Sequence, residues 1–192
     1  MLGLLNFGYE TEKKMTDSPS NAAIVALLDE QAIKNVAHLF ARGLDRMDRD
    51  LIKSCFHEDG TDDHGVFKGT VDEFCAWVFP QLENYDATQH IISTQIVEIK
   101  GEKGVCESYF YARHALKVDG VPKELIAAGR YLDTMEKRKG VWKISHRKAI
   151  FDWNRLVDDM AIPSRPEMDE VMTRGEQGTG DASYAAFMSL EK

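Results

Sequence analysis

Val105-Cys106-Glu107-Ser108-Tyr109-Phe110-Tyr111-Ala112-Arg113-His114-Ala115-Leu116-Lys117-Val118 is one of four runs, rich in Ile, Val, Tyr, Phe and Thr, that decide the fold. The others are 90–99, 125–136 and 141–153. This composition suits a pleated, half-buried surface. The links are short and carry glycine: Lys100–Gly104, Asp119-Gly120 and Lys137–Gly140. Short links between long strands mean antiparallel hairpins, and strands this long fit a strongly curved sheet.

Upstream the period changes. Ala32, Ile33, Val36, Ala37, Phe40, Leu44 and Met47 recur at three- and four-residue steps, one face of a helix within 21–47. Leu27-Leu28-Asp29 is read as the end of a short first helix, with Ser20 or Asp29 as N-cap. Gly43 costs this helix about 1 kcal/mol, which points to close packing or to room for a ligand. Asp48 caps a second short helix through Phe56. Residues 57–60 read as a turn, 61–67 as a short strand and 68–70 as a break. Thr70-Val71-Asp72-Glu73 is a capping box opening a helix with Val71, Phe74, Cys75, Val78, Phe79 and Leu82 on its stripe, limited or kinked by Pro80.

Helices first and an antiparallel sheet afterwards define the α+β class. The expected form is a cone-shaped α+β barrel, N-terminal helices packed in a strongly curved sheet with a pocket at the open end. Residues 1–20 read as a loose arm, 21–156 as the barrel domain, and 157–192 as a C-terminal extension with a terminal helix over 181–190 that packs on a neighbouring subunit.

A net charge of −8 and a pI near 5.3 argue against nucleic acid or an anionic membrane as the main partner. Residues 1–7 are apolar but lack a basic start, and no stretch approaches the roughly 20 apolar residues of a membrane span. Cys55, Cys75 and Cys106 are dispersed and odd in number, so a reducing, cytoplasmic setting is expected. There is no GxGxxG, P-loop, GxSxG, HExxH, HxH or HxxxH, and no cofactor or metal is expected.

Chemistry has a few candidate carriers. Asp45 follows Leu44 at the end of the helical stripe and borders the face turned to the sheet. His90 opens a strand; an imidazole held by a buried carboxylate acts as a general base near neutral pH. Arg147 falls on the last strand. Strict alternation places Trp142, Ile144 and His146 on one face and Ser145, Arg147 and Ala149 on the other. Arg147 therefore needs a bulge or twist to reach a pocket on the Trp142 side. His64 and His114 lie in strands as pocket residues, whereas His38 and His57 are read as surface. Tyr109, Tyr111 and Trp153 supply aromatic walls and phenolic proton donors.

The stretches Leu44-Asp45-Arg46-Met47-Asp48, Thr88-Gln89-His90 and Gly140-Val141-Trp142-Lys143-Ile144-Ser145-His146-Arg147 resemble the SnoaL-like branch of the nuclear-transport-factor-2 superfamily over residues 22 to 156. That branch includes scytalone dehydratase, hexachlorocyclohexane dehydrochlorinase and bile acid 7α-dehydratase. The resemblance implies a catalytic Asp45–His90 pair, an Arg147 contribution, and pocket residues near His64 and His114. Leu44 departs from the scytalone dehydratase pattern, which has a tyrosine there. The implied activity is a cofactor-independent lyase on an apolar aromatic or polycyclic small molecule, losing water, halide or a small carbonyl fragment such as formaldehyde. A non-catalytic, dioxygenase-β-like subunit or ligand-binding protein, and a ketosteroid-isomerase-like enzyme using Asp62 or Asp63, are the alternatives. The expected assembly is a homotrimer, with a dimer as second choice.

Overall fold

The structure is a computed structural model that describes residues 20–158 and 172–191. Helix α1 spans Asn21–Asp45, α2 Arg49–Ser54 and α3 Val71–Leu82; strands β1 to β6 span Phe56–Asp63, Lys68–Thr70, Ala87–Lys100, Lys103–Val118, Val121–Arg138 and Val141–Asp158. A last helix, α4, covers Ala182–Met188. The sheet runs in the order β2-β1-β6-β5-β4-β3. The class is α+β as expected, but the sheet is mixed: β1 runs parallel to β6, and the other pairings are antiparallel. The expected arm lies outside the described residues, apart from Ser20.

Ser20 caps α1, its side chain accepting from the Ala23 amide at 3.2 Å. The helix then runs 25 residues without the expected break at Leu27–Asp29. Leu27 and Leu28 stay exposed, so no change of direction is needed to bury them. Ile33, Val36, Phe40 and Leu44 form the buried stripe. Gly43 marks close packing: a Cβ there would lie 2.6 Å from Cγ1 of Ile52 in α2. Asp48 caps α2 through the Leu51 amide, and the Thr70–Glu73 capping box opens α3. Pro80 sits inside α3, which continues to Leu82.

Residues 57–60 are strand rather than turn: they lie within β1, whose pairing with β6 shifts register between Phe56 and Thr61. His57, read as surface, is therefore buried, its Nε2 2.8 Å from the Glu136 carbonyl. Lys68–Thr70, read as a break, pairs with β1 as β2.

Two irregularities in β6 set which side chains face inward. Thr134 pairs with His146 and Met135 with Ile144, which leaves Ser145 as an extra residue. The bulge shifts the alternation by one. Trp142 and Ile144 are buried, His146 is exposed, and Arg147 is fully buried. The expectation that His146 shares the Trp142 face is thus corrected, and the bulge that Arg147 needed is present. A second shift pairs Ala128 with Trp153 and Gly129 with Phe151, leaving Asp152 unpaired in the ladder.

The described part of the C-terminal extension folds onto α1 of its own chain. Arg46 bonds the Asp181 carboxylate at 3.1 Å and the Glu176 carbonyl at 2.6 Å. The Arg42 guanidinium lies over Tyr184 and Phe187 at 4.9 and 5.2 Å. The Tyr184 hydroxyl donates to Asp48 at 2.6 Å. No helix among the described residues is long and apolar enough to cross a membrane.

Candidate active site

Asp45 is the last residue of α1 and is buried. Both its oxygens engage one residue near the start of β3. Oδ1 lies 2.7 Å from Nδ1 of His90, and Oδ2 accepts from the His90 backbone amide at 3.0 Å. A carboxylate only accepts, so Nδ1 carries a proton, and in the neutral ring the lone pair is then on Nε2. The double attachment fixes the ring's position as well as its tautomer.

The ring borders a cavity of about 260 Å³ between the helices and the sheet. Leu44 of α1, Phe74, Trp77 and Leu82 of α3, and Phe110, Ala127, Tyr131 and Phe151 of the sheet supply apolar walls. Polar groups reach it from His64, His90, His114, Tyr131, Tyr85 and Asn154. Tyr131 and Phe110 belong to the aromatic supply read from the sequence, whereas Tyr85, Phe151 and Asn154 were not singled out there. Burial raises the ionisation of the Tyr131 phenol far above its ordinary value, so it stays a neutral hydroxyl.

His114 and His64 both line the cavity, as expected. His114 Nδ1 lies 2.7 Å from the Thr88 hydroxyl, and its ring stacks on Tyr85 with centroids 4.5 Å apart. Burial, helped by the nearby His90, pushes the His114 imidazole down to about 4. It is neutral at pH 7. His64 bonds through Nδ1 to Asp62, a fully buried acid that the sequence offered only as a carboxylate base for isomerase chemistry. The signal was present: Asp62 and His64 stand two apart at a strand end, the spacing that keeps side chains on one face. Among the described residues no group of three or more His, Cys, Asp or Glu side chains is placed to hold a metal ion.

Three expected wall residues are elsewhere. Tyr109, Tyr111 and Trp153 are 41%, 39% and 44% exposed and do not line the cavity. Tyr111 and Trp153 meet edge-to-face at 6.2 Å, and Arg155 covers Trp153 at 5.2 Å. On β4 the even-numbered residues Cys106, Ser108, Phe110, Ala112 and His114 are buried, so the odd-numbered tyrosines point away.

Arg147 also needs correction. It does not line the cavity but lies behind its wall. Nε and Nη2 bond the two oxygens of Asp133, each at 2.6 Å. The guanidinium stacks 4.0 Å from the Phe40 centroid and 4.1 Å from that of Tyr131. Burial works against its charge, yet the Asp133 carboxylate outweighs burial and strengthens its hold on the proton. From this position it braces the core and makes no contact across the cavity.

A pH effect follows from His114. Its folded value lies below the ordinary one of an exposed histidine, so between the two the unfolded chain binds more protons. This contribution to stability is complete above about pH 6.5 and is lost as pH falls toward 4. Urea unfolding at pH 7 and pH 5 measures it. The wild type loses stability over that interval, and His114→Gln loses less. An equal loss in both proteins would remove His114 as the cause.

The comparisons agree with this architecture. A family model described as a SnoaL-like domain matches residues 25–148. The chain therefore belongs to the SnoaL-like family, and its fold is the one shared by the nuclear-transport-factor-2 superfamily. A hexachlorocyclohexane dehydrochlorinase (LinA) of type 2 is similar at 19% identity and a TM-score of 0.64, covering 74% of this chain and 97% of that one. A putative scytalone dehydratase from Novosphingobium aromaticivorans is similar at 19% identity and a TM-score of 0.61, covering 73% and 99%. A protein from Kribbella flavida, Kfla4162, is similar at 18% identity and a TM-score of 0.62, covering 68% and 95%. Among curated protein sequences none matches the chain.

Proposed function

We propose that the protein is a cofactor-free lyase that removes a carbon-bound proton from a small aromatic substrate and expels a leaving group. The observation that carries this is the Asp45–His90 pair bordering an apolar cavity. Nε2 of His90 takes the proton, and Asp45 compensates the imidazolium that forms. Water, halide or a small carbonyl fragment departs. The names of the similar dehydrochlorinase and dehydratase structures support elimination. A cavity of about 260 Å³ lies below the usual range of roughly 300–1,000 Å³ for drug-sized ligands. It favours one or two rings over a steroid-like skeleton. An open cavity also speaks against the filled interior of a purely structural subunit. Asp63, one of the carboxylates considered for isomerase chemistry, pairs instead with Lys68 at 2.9 Å, and Asp62 is engaged by His64.

The test is a reaction that needs a base alone. 5-Nitrobenzisoxazole loses its ring C–H proton and opens to a coloured cyanonitrophenolate. The wild-type protein should accelerate this opening. His90→Ala and Asp45→Asn should each reduce kcat/KM by about 10²–10⁴. Full activity in both variants would sink the mechanism.

A further inference from the structure

Asp62 lies at the end of β1 with its side chain completely enclosed. One oxygen is taken by Nδ1 of His64, so here too a carboxylate holds an imidazole by Nδ1 and leaves Nε2 free of that bond. The His64 ring borders the same cavity as His90 and packs 4.9 Å from the Phe74 ring. It therefore presents a second carboxylate-held imidazole to whatever fills that space.

What lies behind this pair differs from what lies behind Asp45. Asp62 is the register partner of Arg147 across the parallel β1–β6 pairing. Oδ2 of Asp62 and Nη1 of Arg147 are each buried without a hydrogen-bond partner, one an acceptor and one a donor. Arg147 is already matched by Asp133 through two bonds. Arginine, Asp133 and Asp62 together carry one excess negative charge. A protonated His64 makes the set neutral, and buried charge is costly when left uncompensated. This negative charge lies directly behind the His64 ring, which is bonded to Asp62.

We propose that Asp62 and His64 form a second acid–base pair of the site, in which His64 protonates the departing hydroxyl while His90 deprotonates carbon. This rests on the reading of His90 as base. In one turnover the C–H bond breaks toward His90 Nε2, its electron pair forms the C=C bond, and the C–O bond breaks. The oxygen takes the proton of His64 and leaves as water. His90 ends protonated and His64 neutral, and exchange with solvent restores both. A halide or phenolate leaves without a proton, so the second pair matters for alcohols alone. The substrate class it selects is an aromatic β-hydroxy ketone or similarly activated alcohol.

Two probes separate the duties. 4-Hydroxy-4-phenylbutan-2-one needs both a base and an acid to dehydrate to 4-phenylbut-3-en-2-one. 5-Nitrobenzisoxazole needs only the base. His64→Ala and Asp62→Asn should lower kcat/KM on the alcohol by about 10²–10³, and on the benzisoxazole by less than about a tenth of that factor. The benzisoxazole rate also reports that each variant is folded. Should Asp62→Asn fail to fold, His64→Ala carries the same comparison. Imidazole nitrogen NMR adds a readout for Asp62 as a positioning residue: His64 carries a proton on both ring nitrogens in the wild type and loses one of them in Asp62→Asn. An equal fall on both probes, an unaffected alcohol rate, or a wild type that opens the benzisoxazole but leaves the alcohol intact would each overturn the proposal. A wild type inactive on both probes would overturn the base reading, and this proposal with it.

Discussion

Asp133→Asn should lower the free energy of unfolding by about 3–5 kcal/mol. Arg147 is 0% exposed and Asp133 2%, so neither charge has water to fall back on. Removing the carboxylate charge leaves a guanidinium wedged between Phe40 and Tyr131 with its main counter-charge gone. For a domain stable by about 5–15 kcal/mol this is a large fraction of the total. Urea unfolding at constant pH measures it. Arg147→Met should cost a similar amount by stranding Asp133. The pair Asp133→Leu with Arg147→Met should cost less than either single change, because the two desolvation penalties disappear together. A single variant within about 1 kcal/mol of wild type would show that water reaches the pair after all.

Gly129→Ala should cost about 3 kcal/mol or more and disturb the cavity wall. Gly129 faces the second irregularity of β6, where Asp152 is the extra residue. A Cβ at Gly129 would fall 2.0 Å from the Ile150 carbonyl oxygen and 2.9 Å from Cζ of Phe110. The first neighbour is backbone, so the strand itself must move. The second is a cavity wall residue, stacked on Tyr131 at 4.6 Å. The measurements are urea unfolding and the benzisoxazole rate, and both should fall. An alanine variant with wild-type stability would mean that the β5–β6 ladder relaxes around the methyl at little cost.

The parts of this molecule that were readable beforehand are those set by local pattern. The helical stripe from Ile33 to Leu44 placed Asp45 beside the core. The run from His90 onward placed its partner at a strand start, and the two meet at 2.7 Å. The caps at Ser20, Asp48 and Thr70 follow from hydroxyl or carboxylate side chains ahead of helical segments. What was not readable depends on counting along strands. One extra residue at Ser145 exchanges the faces of His146 and Arg147, and nothing in Lys143-Ile144-Ser145-His146 announces it. The tyrosines are a different case. Tyr109 and Tyr111 share a strand face with Glu107 and Arg113, and those charges could have signalled that this face is outward. The parallel β1–β6 pairing joins segments about 85 positions apart, such as Thr61 and His146, and local composition carries no trace of it. The burial of Asp62 and its hold on His64 were not readable for the same reason: that burial is created by β6.

The clasp between the tail and α1 has a consequence in time. Arg46 and Asp181 are 135 positions apart in the chain. During synthesis the helix end that carries Asp45 emerges well before the residues that clasp it, since chains are made and fold from the N-terminal side. The helices and sheet can close around the cavity while Arg42, Arg46 and Asp48 still wait for Ser183, Asp181 and Tyr184. The last event at this helix end is then the arrival of the tail, after the walls of the cavity are already in place.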